Sequence, residues 1–293
     1  METPIAKSMA LSANRRMHSI DCQCYGVPMR LMAGSDELFA AIPHYLPFAT
    51  QMNSAPAAGA ETFTLLPPGG HRGYRCYAGT ELTGEDVQAG PVLRQFGCGL
   101  MVHVANFCPD RVFVHAGVVG WKGRALVLPG NSFAGKTTLT AALVRAGADY
   151  YSDEFAAVDE AGWVHPFARD LRIREPGKPA KRKTPVGQLN GHAATTPLRV
   201  AQVVFTRYEP GAQWNPQPVS HGMAVLEMLL HSIPVQRDPR RVMSTLTAML
   251  AGATAWSSAR GEAGGVAHAL LQSLATPHAL ETLTLGQEGA WAQ

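Results

Sequence analysis

Apolar residues come in short runs over the first third of the chain. Between residues 18 and 90 the segments YGVPMRLM, TFTLLP and YRCYAG are separated by clusters of Gly, Pro and Ser. That pattern predicts strands joined by turns, with one short helix at DELFAAI. The tract 53-NSAPAAGAE-61 predicts an exposed connection. The period then changes: Val92, Leu93, Phe96, Leu100, Met101, Val104 and Phe107 recur at spacings of three and four despite Gly97 and Gly99, which predicts a helix joining two parts. The expected organisation is a small β-rich N-terminal domain, residues 1–90, followed by a larger domain, residues 91–293.

The larger part opens with two apolar runs, VFVHAGVVG and RALVLP, separated only by Trp121-Lys122-Gly123. Three residues cannot form the crossover that parallel neighbours require, so these strands must pair antiparallel. Residues 136–147 predict a helix with Leu139, Ala142 and Leu143 facing inward and Gly147 just past its end. A strand over 148–152 follows and runs into Asp153-Glu154. Beyond it, FAAV, the turn DEAG and WVHPF predict a hairpin, and AQVVFTR predicts a strand at 201–207. Helices are expected near 220–232, 239–251 and 264–275, with a final strand-like LETLTL. The class is mixed α/β.

Composition narrows the partners. With 46% hydrophobic and 16% charged residues the chain reads as a folded globular protein. A net charge of +3, with Lys and Arg scattered, does not predict a nucleic-acid partner. The exception is 172-RIREPGKPAKRK-183, whose Pro and Gly predict a loop, either simply solvated or steering an anionic nucleotide or acidic acceptor. No segment has the apolar run of a membrane span or a signal peptide, so the expected location is cytoplasmic. The five cysteines are odd in number, which fits reduced thiols. Cys22 and Cys24 lack a second ligand pair, so no metal is expected there.

The chemistry concentrates between residues 126 and 154. Gly130, Asn131, Ser132, Phe133, Ala134, Gly135, Lys136 and Thr137 fit G-x-x-x-x-G-K-[ST] in full, between a strand and a helix. The glycines let the backbone curl so that N–H groups converge at a helix N-terminus, forming an anion site. Lys136 adds a charge for β- and γ-phosphates, and the Thr137 hydroxyl is a hard oxygen ligand for Mg²⁺. Thr138 completes the expected phosphate-binding segment. The nucleotide expected is ATP, with GTP equally compatible. Asp153 and Glu154 can supply a base and a metal ligand, with strand alternation sending one toward the γ-phosphate and the other away. His115 stands in an apolar strand, where a lone His is more often a core residue with a satisfied hydrogen bond.

The order H-A-G-V-V, a short turn, an apolar strand, G-x-x-x-x-G-K-T, a helix ending in A-G, and a strand into S-D-E resembles the catalytic domain of the bacterial HPr serine kinase/phosphorylase family. The fold of that family is akin to phosphoenolpyruvate carboxykinase. The resemblance covers residues 111 to about 160, extends weakly through the C-terminal half and says little about residues 1–90. It implies a P-loop kinase core with a mixed sheet and an antiparallel hairpin before the loop, and it suggests a homo-oligomer. It also implies that His115 lies beside the phosphates, that Asp153 takes the proton of the acceptor hydroxyl, and that Thr137 and Glu154 hold Mg²⁺. Two departures stand out. The family's acidic pair is usually Asp-Asp, and its E-I-R-G-L-G type signature is missing here, the nearest run being 171-LRIREPG-177 with Arg172, Arg174 and Glu175. These point away from HPr itself, and from phosphorolysis, toward another hydroxyl.

The expected function is therefore an ATP-dependent, Mg²⁺-requiring kinase acting on a serine-type hydroxyl of a protein, peptide or small molecule. The alternative is a nucleotide-sensing regulatory module, against which the acidic pair and His115 count. A carboxykinase-like enzyme would need metal-binding His and Lys positions that are not recognisable. The segment 223-MAVLEMLLHSI-233 predicts a core helix face. His221 and His231 are too far apart to share a metal, and Trp214 and Trp256 are expected to pack.

Overall fold

The computed structural model describes residues 17–53, 58–69, 72–130, 134–174 and 181–275. The chain divides into two compact units between Pro109 and Asp110.

The first unit holds β1 (His18–Cys24), β2 (Val27–Ala33), α1 (Asp36–Ala41), β3 (Gln51–Asn53), β4 (Glu61–Leu66), β5 (Tyr74–Ala78), β6 (Glu81–Asp86) and α2 (Ala89–Phe107). Its six strands form one sheet in the order β3-β1-β2-β4-β5-β6. All neighbours are antiparallel except β2 and β4. The helix expected to join two parts instead packs across β4, β5 and β6. Its apolar stripe explains this: Val92, Phe96, Leu100 and Val104 are buried, and Phe96 meets Phe63 edge-on at 6.4 Å. The division thus falls after Pro109 rather than after residue 90. Cys22 and Cys24 are buried free thiols. Burial raises them to about 11 and about 12, so both thiols are protonated near neutral pH.

The second unit is built from β7 (Arg111–Trp121), β8 (Arg124–Pro129), α3 (Lys136–Arg145), β9 (Asp149–Ser152), β10 (Phe155–Asp159), β11 (Trp163–His165), β12 (Leu171–Arg174), β13 (Lys181–Thr184), β14 (Leu198–Tyr208), β15 (Gln217–Val219), α4 (His221–Leu230), α5 (Pro239–Leu250), β16 (Thr254–Arg260) and α6 (Ala263–Ala275). β7 and β8 form the antiparallel hairpin expected, from Ala116↔Pro129 to Trp121↔Arg124. Lys122 and Gly123 both have positive φ, the geometry a two-residue hairpin turn requires. β8 then runs parallel to β14, and β14 parallel to β16. The unit is mixed α/β, and its main sheet is itself mixed.

The other edge of β7 carries β9 against Val118–Gly120 and β10 against Arg111–His115. β11 pairs with both β10 and β14, so β11, β10, β7, β8 and β14 close into a circuit. On one face the core of Val112, Val114, Val118, Val127 and Val203 packs against Met228 of α4 and Leu246 of α5. On the other, Val119, Leu126, Leu128 and Val204 pack against Leu139 and Leu143 of α3 and Leu270 of α6. Close approach of α3 depends on Gly117: a Cβ there would stand 2.5 Å from Thr140 Oγ1. The helix ends as expected. Gly147 N–H donates to Val144 O, and Ala148 N–H to Leu143 O, a paired closure with Gly147 at φ 104.

Two expectations are corrected. The basic run forms two paired strands, β12 and β13, flanking residues 175–180, which lie outside the described residues. Arg172 and Lys183 sit opposite each other on this ribbon, and Lys183 pairs with Asp170 at 3.2 Å. α4 does turn a face to the core, with Ala224 and Met228 buried and Val225 and Leu229 packed beside them, while Met223, Leu226 and Leu230 are more than half exposed. β16 occupies a segment not predicted as a strand, between two helices that were. LETLTL, at residues 280–285, falls outside the described residues. No helix among them is long and apolar enough to cross a membrane.

Candidate functional site

β8 ends at Pro129, and α3 starts at Lys136 with Gly135 as its N-cap. Asn131, Ser132 and Phe133 lie outside the described residues, but the two ends of the loop converge. Lys136 Nζ donates to Gly130 O at 2.5 Å, and a Cβ on Gly130 would stand 3.4 Å from that of Ala134. Gly135 has φ 83 and ψ 12, a left-handed conformation that favours glycine. It offers no side-chain cap to the first turn of α3, whose backbone donors are the kind that bind anions. Lys136 is buried, Thr137 is half-buried and Thr138 is exposed. Burial pulls the Lys136 ammonium down to about 8, against the opposing attraction of Asp153.

Asp153 and Glu154 occupy the break between β9 and β10, just past a register shift in the pairing of β9 with β7. Ser152 shapes that break. Its buried Oγ accepts the N–H groups of Glu154 at 3.1 Å and Phe155 at 3.0 Å, a local side-chain turn that replaces ladder hydrogen bonds. Both carboxylates attract Lys136, Asp153 the more strongly. Asp153 turns to α3, hydrogen-bonds to Thr137 and accepts from the Arg172 backbone, while its buried Oδ1 has no partner among the described residues. Burial raises its pKa from 3.8 to about 6, outweighing the Thr137 bond and the Lys136 charge. Glu154 is more open and lies 3.5 Å from Arg169 Nη1.

His115 sits on β7 opposite Phe155, one residue before the hairpin pairing begins. Its backbone clasps the site: its carbonyl accepts Gly130 N–H at 3.3 Å, and its N–H donates to His231 O at 2.7 Å. The ring hydrogen-bonds to the Gly130 backbone. Burial, followed by the Lys136 and His231 charges, lowers its pKa to about 4, so it is neutral at physiological pH. His231, at the end of α4, is half-buried with a largely covered side chain whose Nδ1 has no partner among the described residues, and its Nε2 lies 3.9 Å from Glu227. Burial lowers its pKa too. Lys181 of β13 bears electrostatically on both Lys136 and His115, so the basic ribbon reaches the site.

Beside Gly130 a groove of about 280 Å³ opens over the carboxyl ends of β8, β14 and β16, where ligands of parallel sheets collect. Thr206, Glu227, His231, Ser257 and Ser258 give it a polar lining.

The structure therefore brings His115, Gly130, Gly135, Lys136, Thr137 and Asp153 together, with Glu154 at the margin. Sequence reasoning missed Ser152, Arg169, His231 and Arg260, the last a buried cation behind Gly135. Ser152 carried a readable signal, since a serine directly before an acidic pair at a strand end is a turn former. Among the described residues no three His, Cys, Asp or Glu side chains cluster to hold a metal. A magnesium ion would suit this donor set only with phosphate and water oxygens completing it, which is its usual coordination. The buried, unpartnered Asp153 Oδ1 beside the Thr137 hydroxyl fits that demand. No protein-family model matches the chain, and no curated protein matches it.

Proposed function

We propose that the protein is an ATP-dependent, Mg²⁺-requiring phosphotransferase with a P-loop core of the HPr kinase type, moving the γ-phosphate to a serine-type hydroxyl other than that of HPr. GTP would satisfy the same backbone contacts. The observation that carries the reading is Asp153: a carboxylate with a buried oxygen that has no partner among the described residues, hydrogen-bonded to the P-loop Thr137, with its pKa raised to about 6. A base is most effective when its pKa approaches the working pH, and 6 serves better than the ordinary 3.8.

In this mechanism the loop amides and Lys136 bind the triphosphate, whose negative charge offsets the cost of a buried ammonium. Thr137, with Glu154 from the margin, would hold Mg²⁺, which would supply charge neutralisation for the phosphates. Asp153 accepts the proton of the acceptor hydroxyl as its oxygen bonds to the γ-phosphorus. The bond from that phosphorus to the bridging oxygen breaks, and the electron pair leaves with ADP. His115 is neutral, so it adds no charge beside Lys136 and instead holds the Gly130 backbone.

The test uses γ-labelled ATP, Mg²⁺ and a panel of hydroxyl acceptors, with nucleotide binding measured in parallel. Asp153→Asn should bind ATP and transfer no label. Transfer at the wild-type rate would remove Asp153 as the base. A wild-type chain that binds ATP but labels no acceptor would make the protein a nucleotide-responsive module instead.

A further inference from the structure

We infer that Arg260 is a positioning residue for nucleotide: from the end of β16 it fixes the direction of the peptide groups that enter α3. The inference rests on the phosphate-loop reading above.

Arg260 is only 1% exposed and is the largest fully buried side chain described. Its Nη2 donates to Gly135 O at 2.7 Å and its Nη1 to Gly261 O at 2.9 Å, while its Nε has no partner among the described residues. The guanidinium lies 5.6 Å from the centre of the Tyr208 ring, and the Tyr208 hydroxyl donates to Glu262 at 3.1 Å. Among the described residues no carboxylate forms an ion pair with Arg260, although Glu262 attracts it from nearby; burial still lowers its pKa. Burying a cation without a directly paired carboxylate is costly, and the fold retains it directly behind an anion site.

Peptide geometry gives that placement a purpose. The carbonyl of Gly135 and the N–H of Lys136 belong to one planar trans unit and point in opposite directions. Gly135 O also accepts the Leu139 N–H at 3.1 Å, so the first helical bond of α3 and Arg260 hold the carbonyl together, which turns the Lys136 N–H the opposite way. The preceding peptide is held likewise, because Tyr208 N–H donates to Ala134 O at 3.4 Å, which orients the Gly135 N–H. Contact is so close that a Cβ on Gly135 would stand 2.5 Å from Nη2 and 3.2 Å from Tyr208 Cβ. The glycine is thus required by the arginine as well as by its own backbone angles. The two strand ends farther from the acidic pair set the donors that a triphosphate meets.

The test measures MgATP affinity by calorimetry for the wild type, Arg260→Lys and Arg260→Ala, each first shown to be folded by its near-ultraviolet spectrum and melting transition. A lysine keeps the charge but cannot reproduce the fork across two carbonyls. Arg260→Lys should bind at least about tenfold more weakly, the scale of a charge-assisted hydrogen bond. In Arg260→Ala, methylguanidinium at non-denaturing concentration should restore affinity, which a general loss of packing would not allow. Should Arg260→Ala not fold, Arg260→Lys decides alone. A folded Arg260→Lys with wild-type affinity overturns this inference and leaves the phosphate-loop reading intact. A wild-type chain that binds no nucleotide overturns both.

Discussion

Replacing Asp153 by Asn removes a charge that the folded protein holds at a cost, and the size of that cost follows from the site. The carboxyl rises from 3.8 to about 6, with burial opposing the Thr137 bond and the Lys136 charge, so the shift is already a net quantity. About two pKa units correspond to roughly 3 kcal/mol. The sign follows from linkage. A carboxyl whose folded pKa is raised contributes no penalty below its unfolded value, and the penalty grows as pH climbs to the folded value and then levels off. Nucleotide-free Asp153→Asn should therefore be more stable than the wild type by about 1.5 kcal/mol at pH 5 and roughly 3 kcal/mol at pH 7. For a unit of this size that is a rise in melting temperature of about 6–12 °C at pH 7. Denaturant and thermal melts at both pH values measure it, below the titration of Lys136 near 8. A variant no more stable than the wild type at pH 7, or a gap that does not grow between pH 5 and 7, would refute the claim that Asp153 is held ionised against burial. The same variant should be unable to transfer phosphate, stability and activity trading against each other at one atom.

Lys136 titrates near 8 in the nucleotide-free protein, and a bound polyphosphate must raise that value. ATP binding at pH 8 should therefore take up protons, read by calorimetry in buffers of different ionisation enthalpy; uptake absent there, or release instead, contradicts the buried-lysine account. Ser152→Ala deprives the Glu154 and Phe155 N–H groups of their acceptor, which should cost about 1–3 kcal/mol in a denaturant melt and lower the transfer rate more than ATP affinity. An unchanged transfer rate in that variant would show that the break between β9 and β10 does not aim Asp153.

The sequence was most readable where short range decides. A connection of three residues left β7 and β8 no choice but to pair antiparallel, and Gly147 closed α3 because only a residue tolerant of positive φ fits there. Strand alternation did not reach Asp153 and Glu154, which lie in the break between β9 and β10 where Ser152 Oγ takes the Glu154 and Phe155 N–H groups. Where a pattern has no single partner, reading failed. The stripe on α2 specifies an apolar surface without saying which sheet supplies it, so the division between units was set too early. The prolines and glycines of 172–183 signalled a turn and concealed the strands on its flanks. Arg260 carries no local signal at all, since its meaning lies in a carbonyl 125 residues away.

β7 gives the site an unusual economy. One strand of eleven residues bears the hairpin partner that delivers the phosphate loop along one edge, and the irregular strand that delivers Asp153 along the other. On the proposed reading, the gap between phosphate donor and proton acceptor is thus gauged by the width of a single strand, stitched on both sides. Whatever closes over the reactants must come from outside this ruler, and a one-residue insertion in β7 should put it out of true.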